Sequence, residues 1–211
     1  DVVGTSKVLV AIGREPRLDL DFGKAGVEVS PSGIRVNARM ETSASGIYAV
    51  GDAVGGPLLA YVASEEAVVA AENAMGIEAR KKEAPIPLCV FTHPEIASIG
   101  LTEQEAKSQG EIRIGRFPFR SNPKALIAGE RDGLIKVVSR RESGEILGIH
   151  MIGSGAGELL CAASLIINQK VRAKEFSEFL QVHPTLSEAL REAVLDTEDQ
   201  AIHLPRPLRK K

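Results

Sequence analysis

The chain contains no tryptophan, and aromatic residues make up only 4% of it. Stacking platforms for unpaired nucleic-acid bases need interleaved aromatics, so that class of binding is excluded. Charge of one sign is not in excess. The 26 Lys and Arg face 28 Asp and Glu, for a formal net charge of -2, and the electrostatic footprint of a nucleic-acid binder is missing. Cysteine is scarce. Cys89 and Cys161 stand far apart, each among apolar neighbours. Two such residues make no disulfide framework, and they point to a reduced, cytoplasmic protein with both thiols inert in the core. Apolar runs fall short of the ~20 residues a membrane span needs, so no membrane contact is expected, and no signal peptide opens the chain. His93, His150 and His203 have no Cys, His or Asp partners at ligand spacing, so no metal site is expected.

What is present is ordinary globular composition. Of 211 residues, 44% are hydrophobic and 26% charged, enough for one large domain or two smaller ones. The chain enters a strand pattern almost at once, Lys7 to Ile12, ended by Gly13 and Pro16. This reads as a buried strand, and as a start inside a longer protein. Short strand patterns follow at Val27 to Val29, Ile34 to Val36 and Ile47 to Val50. A helix is predicted from Leu58 to Met75, closed by Gly76. The charged stretch Glu78 to Glu83, ending in Pro85 and Pro87, is the best domain boundary. Beyond it, strands are predicted at Leu88 to Phe91, Ile96 to Ile99, and near 112–119, 133–139 and 145–152, the last two joined as a hairpin at Ser143-Gly144. Thr102 to Glu105 forms a capping-box pattern that opens a short helix. A nearly all-apolar helix over 156–168 must be buried on most sides, against a sheet or a partner chain. A last helix starts at Thr185. Strands running on to strands, with helices gathered late, predict an α+β fold with a mixed or antiparallel sheet flanked by helices.

Three segments carry possible chemistry. His183-Pro184-Thr185-Leu186-Ser187-Glu188 sets an imidazole and a carboxylate around a proline turn before the last helix. Such a pair is the minimal kit for moving a proton near neutral pH. The plain alternatives are a core histidine and a Glu188 that closes a capping box on Thr185, and one carboxylate can serve both roles. Cis peptide bonds are expected before Pro184, and before Pro94 as well. Gly51-Asp52-Ala53 ends a strand and leads to a helix. It suits a ligand with a diol or a phosphate, but Gly-Asp is also a common turn pair. Gly153-Ser154-Gly155-Ala156-Gly157 imitates a dinucleotide fingerprint, yet the third glycine falls on Glu158, so a ligand-free turn is the better reading. The C-terminal Arg206, Arg209, Lys210 and Lys211 read as a solvated tail.

Taken together, Ala11 to Pro16, Gly46 to Ala53, Phe91 to Glu95, Gly100 to Glu103 and His183 to Glu188 are similar, in order and spacing, to the flavin-dependent pyridine nucleotide–disulfide oxidoreductases. Ser187 to Ala193 and Ala201 to His203 resemble that family's dihydrolipoamide-oxidising branch. The resemblance covers essentially the whole chain. It implies that 1–16 end an NAD-binding domain, 17–84 form a central FAD-contacting domain, and 85–211 form the interface domain of a homodimer. By the same resemblance, Gly51, Asp52, Leu59 and Ala60 would bind FAD, Gly13 would lie near the nicotinamide nucleotide, and Val90 and Phe91 near the nicotinamide–flavin face. His183 would be the base serving a redox disulfide of the other subunit, with Glu188 orienting it. The implied partner is dihydrolipoamide carried on the acyltransferase of a 2-oxo acid dehydrogenase complex. Departures from the pattern are equally plain. No FAD fingerprint, no Cys-x4-Cys pair and no second nucleotide fingerprint occur, so the isolated chain is expected to be inactive and to retain no FAD. Gln181 and Tyr61 stand where family members often carry His. Glutathione- or mercuric-reducing relatives, or a non-catalytic dimerisation module, stay open as alternatives. A mercuric reductase would be expected to end in a Cys pair, which residues 190–211 lack.

Overall fold

A computed structural model describes residues 2–204. These fall into two compact units that divide between Glu83 and Ala84. The basic C-terminal residues Arg206, Arg209, Lys210 and Lys211 lie outside the described residues.

The first unit is small and loop-rich. The strand expected at Lys7 to Ile12 does not form. Val8, Leu9 and Ile12 are 79%, 90% and 93% exposed. A strand with two apolar faces needs neighbours on both edges and both faces, and the described residues supply none. A tight hairpin pairs β1 (Val29–Ser30) with β2 (Gly33–Ile34). The strand expected at Ile47 to Val50 is reduced to one antiparallel bridge between Glu41 and Tyr48. A single 3-10 turn over Gly51–Val54 follows. Leu58 then adopts a left-handed φ of 54°, which ends any helix on its N-terminal side. Hence α1 begins at Ala60 rather than Leu58 and runs to Ala74. Gly76, at φ 80°, turns the chain away from it.

The second unit is a five-stranded antiparallel sheet with helices on both faces. Its strands are β3 (Leu88–Val90), β4 (Ile96–Gly100), β5 (Ile112–Pro118), β6 (Leu134–Arg140) and β7 (Ile146–Ile152), in the spatial order β3-β4-β7-β6-β5. The α+β class expected from the sequence is the one observed. The short helix α2 (Glu103–Ser108) is opened by a complete capping box between Thr102 and Glu105. It covers one sheet face through Ala106, packed with Val138 and Leu147. On the other face, α4 (Ala156–Asn168) and α6 (Ser187–Thr197) share a core with Phe117, Ile135, Val137, Ile149 and Met151. Two short helices, α3 (Pro123–Ala128) and α5 (Ala173–Ser177), have no strong periodicity and were not expected.

The seating of α6 is decided by Gly115 on β5. A Cβ there would stand 1.9 Å from the Ala193 carbonyl oxygen. Helix and strand backbones therefore touch, and only glycine permits it. Ala189, Leu190, Ala193 and Val194 fill the inner face of α6. Burial of Leu190 alone contributes about 1.5–3 kcal/mol.

Both thiols depart from the expected inert core positions. Cys161 is exposed and Cys89 is half-buried. The helix α4 buries one stripe, Ala156, Leu159, Leu160, Ala163, Ile166 and Ile167. Its opposite side, with Cys161 and Leu165, faces outward.

Candidate active site

The last helix starts two residues later than expected, at Ser187, and Leu186 is its N-cap. The preceding turn holds a cis His183–Pro184 peptide, and a second cis bond joins His93 to Pro94. This turn is tied down from several sides. The Thr185 hydroxyl donates to the Val182 carbonyl at 2.8 Å. Asn122, 1% exposed, donates its amide to the Thr185 carbonyl at 3.0 Å while its oxygen caps α3. Nothing in the sequence marked Asn122, because its partner lies 63 residues away.

His183 and Glu188 meet. Nδ1 of His183 lies 2.9 Å from Oε1 of Glu188. An ionised carboxylate only accepts, so Nδ1–H donates, and in the neutral ring that tautomer leaves the lone pair on Nε2. Glu188 uses its other oxygen to accept the Thr185 backbone N–H at 2.8 Å. One carboxylate thus does both jobs that the spacing allowed. Burial pushes the Glu188 carboxyl up, but the Thr185 amide and the His183 imidazole outweigh it and hold the group below the ordinary carboxylate range. The pair is lopsided in exposure. The His183 side chain is 65% exposed and that of Glu188 only 20%. The anchored carboxylate sits inside, and the imidazole is largely exposed.

In the first unit, the structure gathers Gly51, Asp52, Leu59 and Ala60 at one end of α1. Gly51, at φ 67°, donates its N–H to the buried Glu66 at 2.8 Å. Glu66 is in turn paired with Lys81. Asp52 is half exposed and accepts from Arg14 at 3.0 Å, and Arg14 also donates to the Leu58 carbonyl. Leu59 is the N-cap of α1 and offers it no side-chain cap. An open carboxylate beside an uncapped helix start fits a polyol or an anionic group. Gly13, at φ 116°, precedes Arg14 on an exposed segment. Arg14 and Glu66 were missed in the sequence. Their partners are 38 and 15 residues away, beyond any local pattern.

Val90 and Phe91 lie at the end of edge strand β3 in the second unit, 52% and 83% exposed. The glycine-rich turn before α4 is already closed by protein. Gly155 caps the helix in the left-handed region, and the Glu95 carboxylate accepts the Gly157 N–H at 2.8 Å. Burial, and then Glu95, push the Cys89 thiol above its ordinary value. Among the described residues, no cluster of His, Cys, Asp and Glu could hold a metal ion, and no helix is long and apolar enough to cross a membrane.

Comparison with known proteins gives a consistent result. Residues 86–194 match the family model "Pyridine nucleotide-disulphide oxidoreductase, dimerisation domain", and residues 1–67 match "Pyridine nucleotide-disulphide oxidoreductase". Dihydrolipoyl dehydrogenase of Bacillus subtilis is 47% identical over 198 residues, covering 93% of this chain and 43% of that protein. Dihydrolipoyl dehydrogenase of Thermus scotoductus is 46% identical over 201 residues, with 94% and 43% covered. Among solved structures, LpdA from Mycobacterium tuberculosis superposes with a TM-score of 0.78 at 28% identity, over 87% of this chain and 41% of that one. The chain therefore spans less than half the length of the relatives it matches.

Proposed function

The chain belongs to the pyridine nucleotide–disulphide oxidoreductase family, and from that premise we propose that it is the C-terminal portion of an FAD-dependent dihydrolipoyl dehydrogenase, which oxidises dihydrolipoamide and reduces NAD+. The observation that carries the reading is the His183–Glu188 pair, 2.9 Å apart, with the carboxylate anchored inside and the imidazole turned outward.

The chemistry needs such a base. A dithiol attacks a disulfide only as thiolate. Nε2 of His183 takes the thiol proton. Glu188 holds the ring in the right tautomer and offsets the positive charge that then forms, as in other carboxylate–imidazole pairs. The thiolate displaces one sulfur of a redox disulfide to give a mixed disulfide, and the second substrate thiol completes the exchange. When bound, FAD carries the electron pair from the reduced disulfide to NAD+. The only cysteines here are Cys89 and Cys161, so the disulfide belongs to residues outside this chain. His183 serves it across a homodimer interface. Support for that placement comes from Phe179, Leu180 and Val182, which are 61%, 100% and 76% exposed and lead directly into His183. A partner subunit that covers them brings its own site to the imidazole.

In this reading 1–16 end the NAD-binding domain, 17–84 are the central domain and 85–211 the interface domain. Asp52 would bond the ribityl or pyrophosphate region of FAD with Gly51 beside it, and the amides at the start of α1, near Leu59 and Ala60, would favour negative charge on the flavin. Gly13 would serve the nicotinamide nucleotide, and Val90 and Phe91 of the second unit the nicotinamide–flavin face. The substrate is presented as a lipoyl group on the acyltransferase of a 2-oxo acid dehydrogenase complex, in the cytoplasm. The test is His183→Gln in the full-length enzyme. Oxidation of dihydrolipoamide should slow by about 10²–10⁴-fold, while a direct electron acceptor still reoxidises reduced FAD at the normal rate. Unchanged dithiol turnover would overturn the assignment.

A further inference from the structure

The loop that carries Asp52 is held from three sides, and one of the holds is a buried carboxylate. Against one side lies the β1–β2 hairpin, where a Cβ on Gly55 would stand 1.9 Å from the Ser32 carbonyl oxygen. Against another lies α1, where a Cβ on Gly51 would stand 3.0 Å from that of Ala63. Both glycines have left-handed φ, at 79° and 67°, so the chain packs this closely only without side chains there. The third hold is Glu66. Its side chain is 3% exposed. Oε2 accepts the Gly51 N–H at 2.8 Å, one residue before Asp52. Oε1 pairs with the Lys81 ammonium. A carboxylate buried this deeply is costly unless it is paired and hydrogen-bonded, and here it is both. Lys81 arrives on a strap that returns along α1. Asn73, 4% exposed, donates to the Ala79 carbonyl at 2.8 Å and to the Arg39 carbonyl at 3.2 Å. The Lys81 N–H donates to the Ala38 carbonyl at 2.8 Å.

We propose that Glu66 is a positioning residue for the flavin site. It locks the Gly51 turn, so that the Asp52 carboxylate and the first amides of α1 are already in place for a polyol and a diphosphate. The inference rests on the proposed function for the identity of that ligand. Its physical content is the locked turn. A loop already held in its bound geometry loses less freedom when the ligand arrives, and slack in such a loop shows mainly as faster release. Two properties of Glu66 separate here. The Gly51 N–H needs its reach, and Lys81 needs its charge. Positioning Asp52 uses the reach.

The experiment follows FAD release from the full-length enzyme in a fixed, mild concentration of chaotrope, separating free from bound flavin over time. Glu66→Asp keeps the charge but withdraws the carboxylate by one methylene. Glu66→Gln keeps the reach and loses the charge. Glu66→Asp should release FAD about tenfold faster or more, the effect of losing one hydrogen bond to a charged group. Glu66→Gln still offers an oxygen to the Gly51 N–H, and should restore release to within about threefold of wild type. A residue that serves only as the counterion of Lys81 would give the reverse order. The reverse order, equal acceleration in both variants, or no acceleration in either overturns the proposal. Should Glu66→Asp fail to fold, amide-resolved hydrogen exchange of the wild-type apoprotein decides instead. The Gly51 N–H should be protected by about tenfold or more, and exchange at the unprotected rate overturns the proposal. Asp52→Asn separates this inference from the reading beneath it. If Asp52→Asn speeds release and Glu66→Asp does not, the reading stands and only the inference falls. If Asp52→Asn leaves release unchanged, Asp52 is not at the flavin, and the reading of this site falls first.

Discussion

At the scale of single residues, the site depends on division of labour within one carboxylate. Glu188 gives one oxygen to the Thr185 amide and one to His183. The first bond fixes the turn and the second fixes the ring. These bonds favour the ionised form, which is why the group sits below the ordinary carboxylate range despite partial burial. A depressed folded-state value stabilises the fold above the unfolded value of about 4.3, and that stabilisation is lost as pH falls through the lower folded value. Replacing Glu188 by Gln should therefore cost about 1–2 kcal/mol at pH 7. The cost should dwindle at an acid pH below the lowered folded value, where wild type is protonated too. Urea midpoints of both proteins at the two pH values measure this, and a gap independent of pH would contradict the account. In the full-length enzyme the same change should slow dithiol oxidation less than His183→Gln does, because the imidazole remains while its orientation loosens.

At the scale of elements, the catalytic candidates depend on how closely α6 rests on β5. Gly115 permits that contact, and Ala at this position would drive a methyl into the Ala193 carbonyl. The helix must then lift or tilt, and overpacking against backbone costs about 3 kcal/mol. For a chain of this size the thermal midpoint of Gly115→Ala should fall by roughly 6–12 °C, read by circular dichroism. An unchanged midpoint would mean that α6 is not seated as described. Elements of this kind were only partly legible in the sequence. The strands β4 to β7 and the helices α1, α2 and α4 carry periodicity and end signals strong enough to place within a few residues. Residues 7–12 read equally well as a strand, but a strand exists only with partners, and pattern cannot supply them. Cys161 sits in an apolar helix whose composition hides the fact that one side faces outward. The His183–Glu188 contact was legible because five residues and a proline turn separate the pair. Asn122, Arg14 and Glu66 were not, because only the fold brings distant residues together. His203 and Glu192 stood as separate residues in the sequence, and the return of the tail onto α6 joins them.

At the scale of the whole molecule, the second unit carries its own demand for a partner. Its core is closed on the inner faces of α4 and α6, yet Leu165, Phe179, Leu180 and Val182 remain turned outward. Burying large side chains of this kind is worth about 1.5–3 kcal/mol each, and the proposed homodimer supplies the burial. A two-fold contact presents the same face twice, so one substitution is felt twice. Leu180 is the sharpest probe, because at 100% exposure its removal costs the protomer no packing. Leu180→Glu should convert a dimer into monomers in sedimentation velocity at micromolar concentration, with the circular dichroism spectrum unchanged. If His183 serves a disulfide in the other subunit, as proposed, the same variant of the full-length enzyme should lose dihydrolipoamide oxidation along with the dimer. A Leu180→Glu protein that stays dimeric would place the contact elsewhere. One that is monomeric yet fully active would mean that the imidazole works within its own subunit.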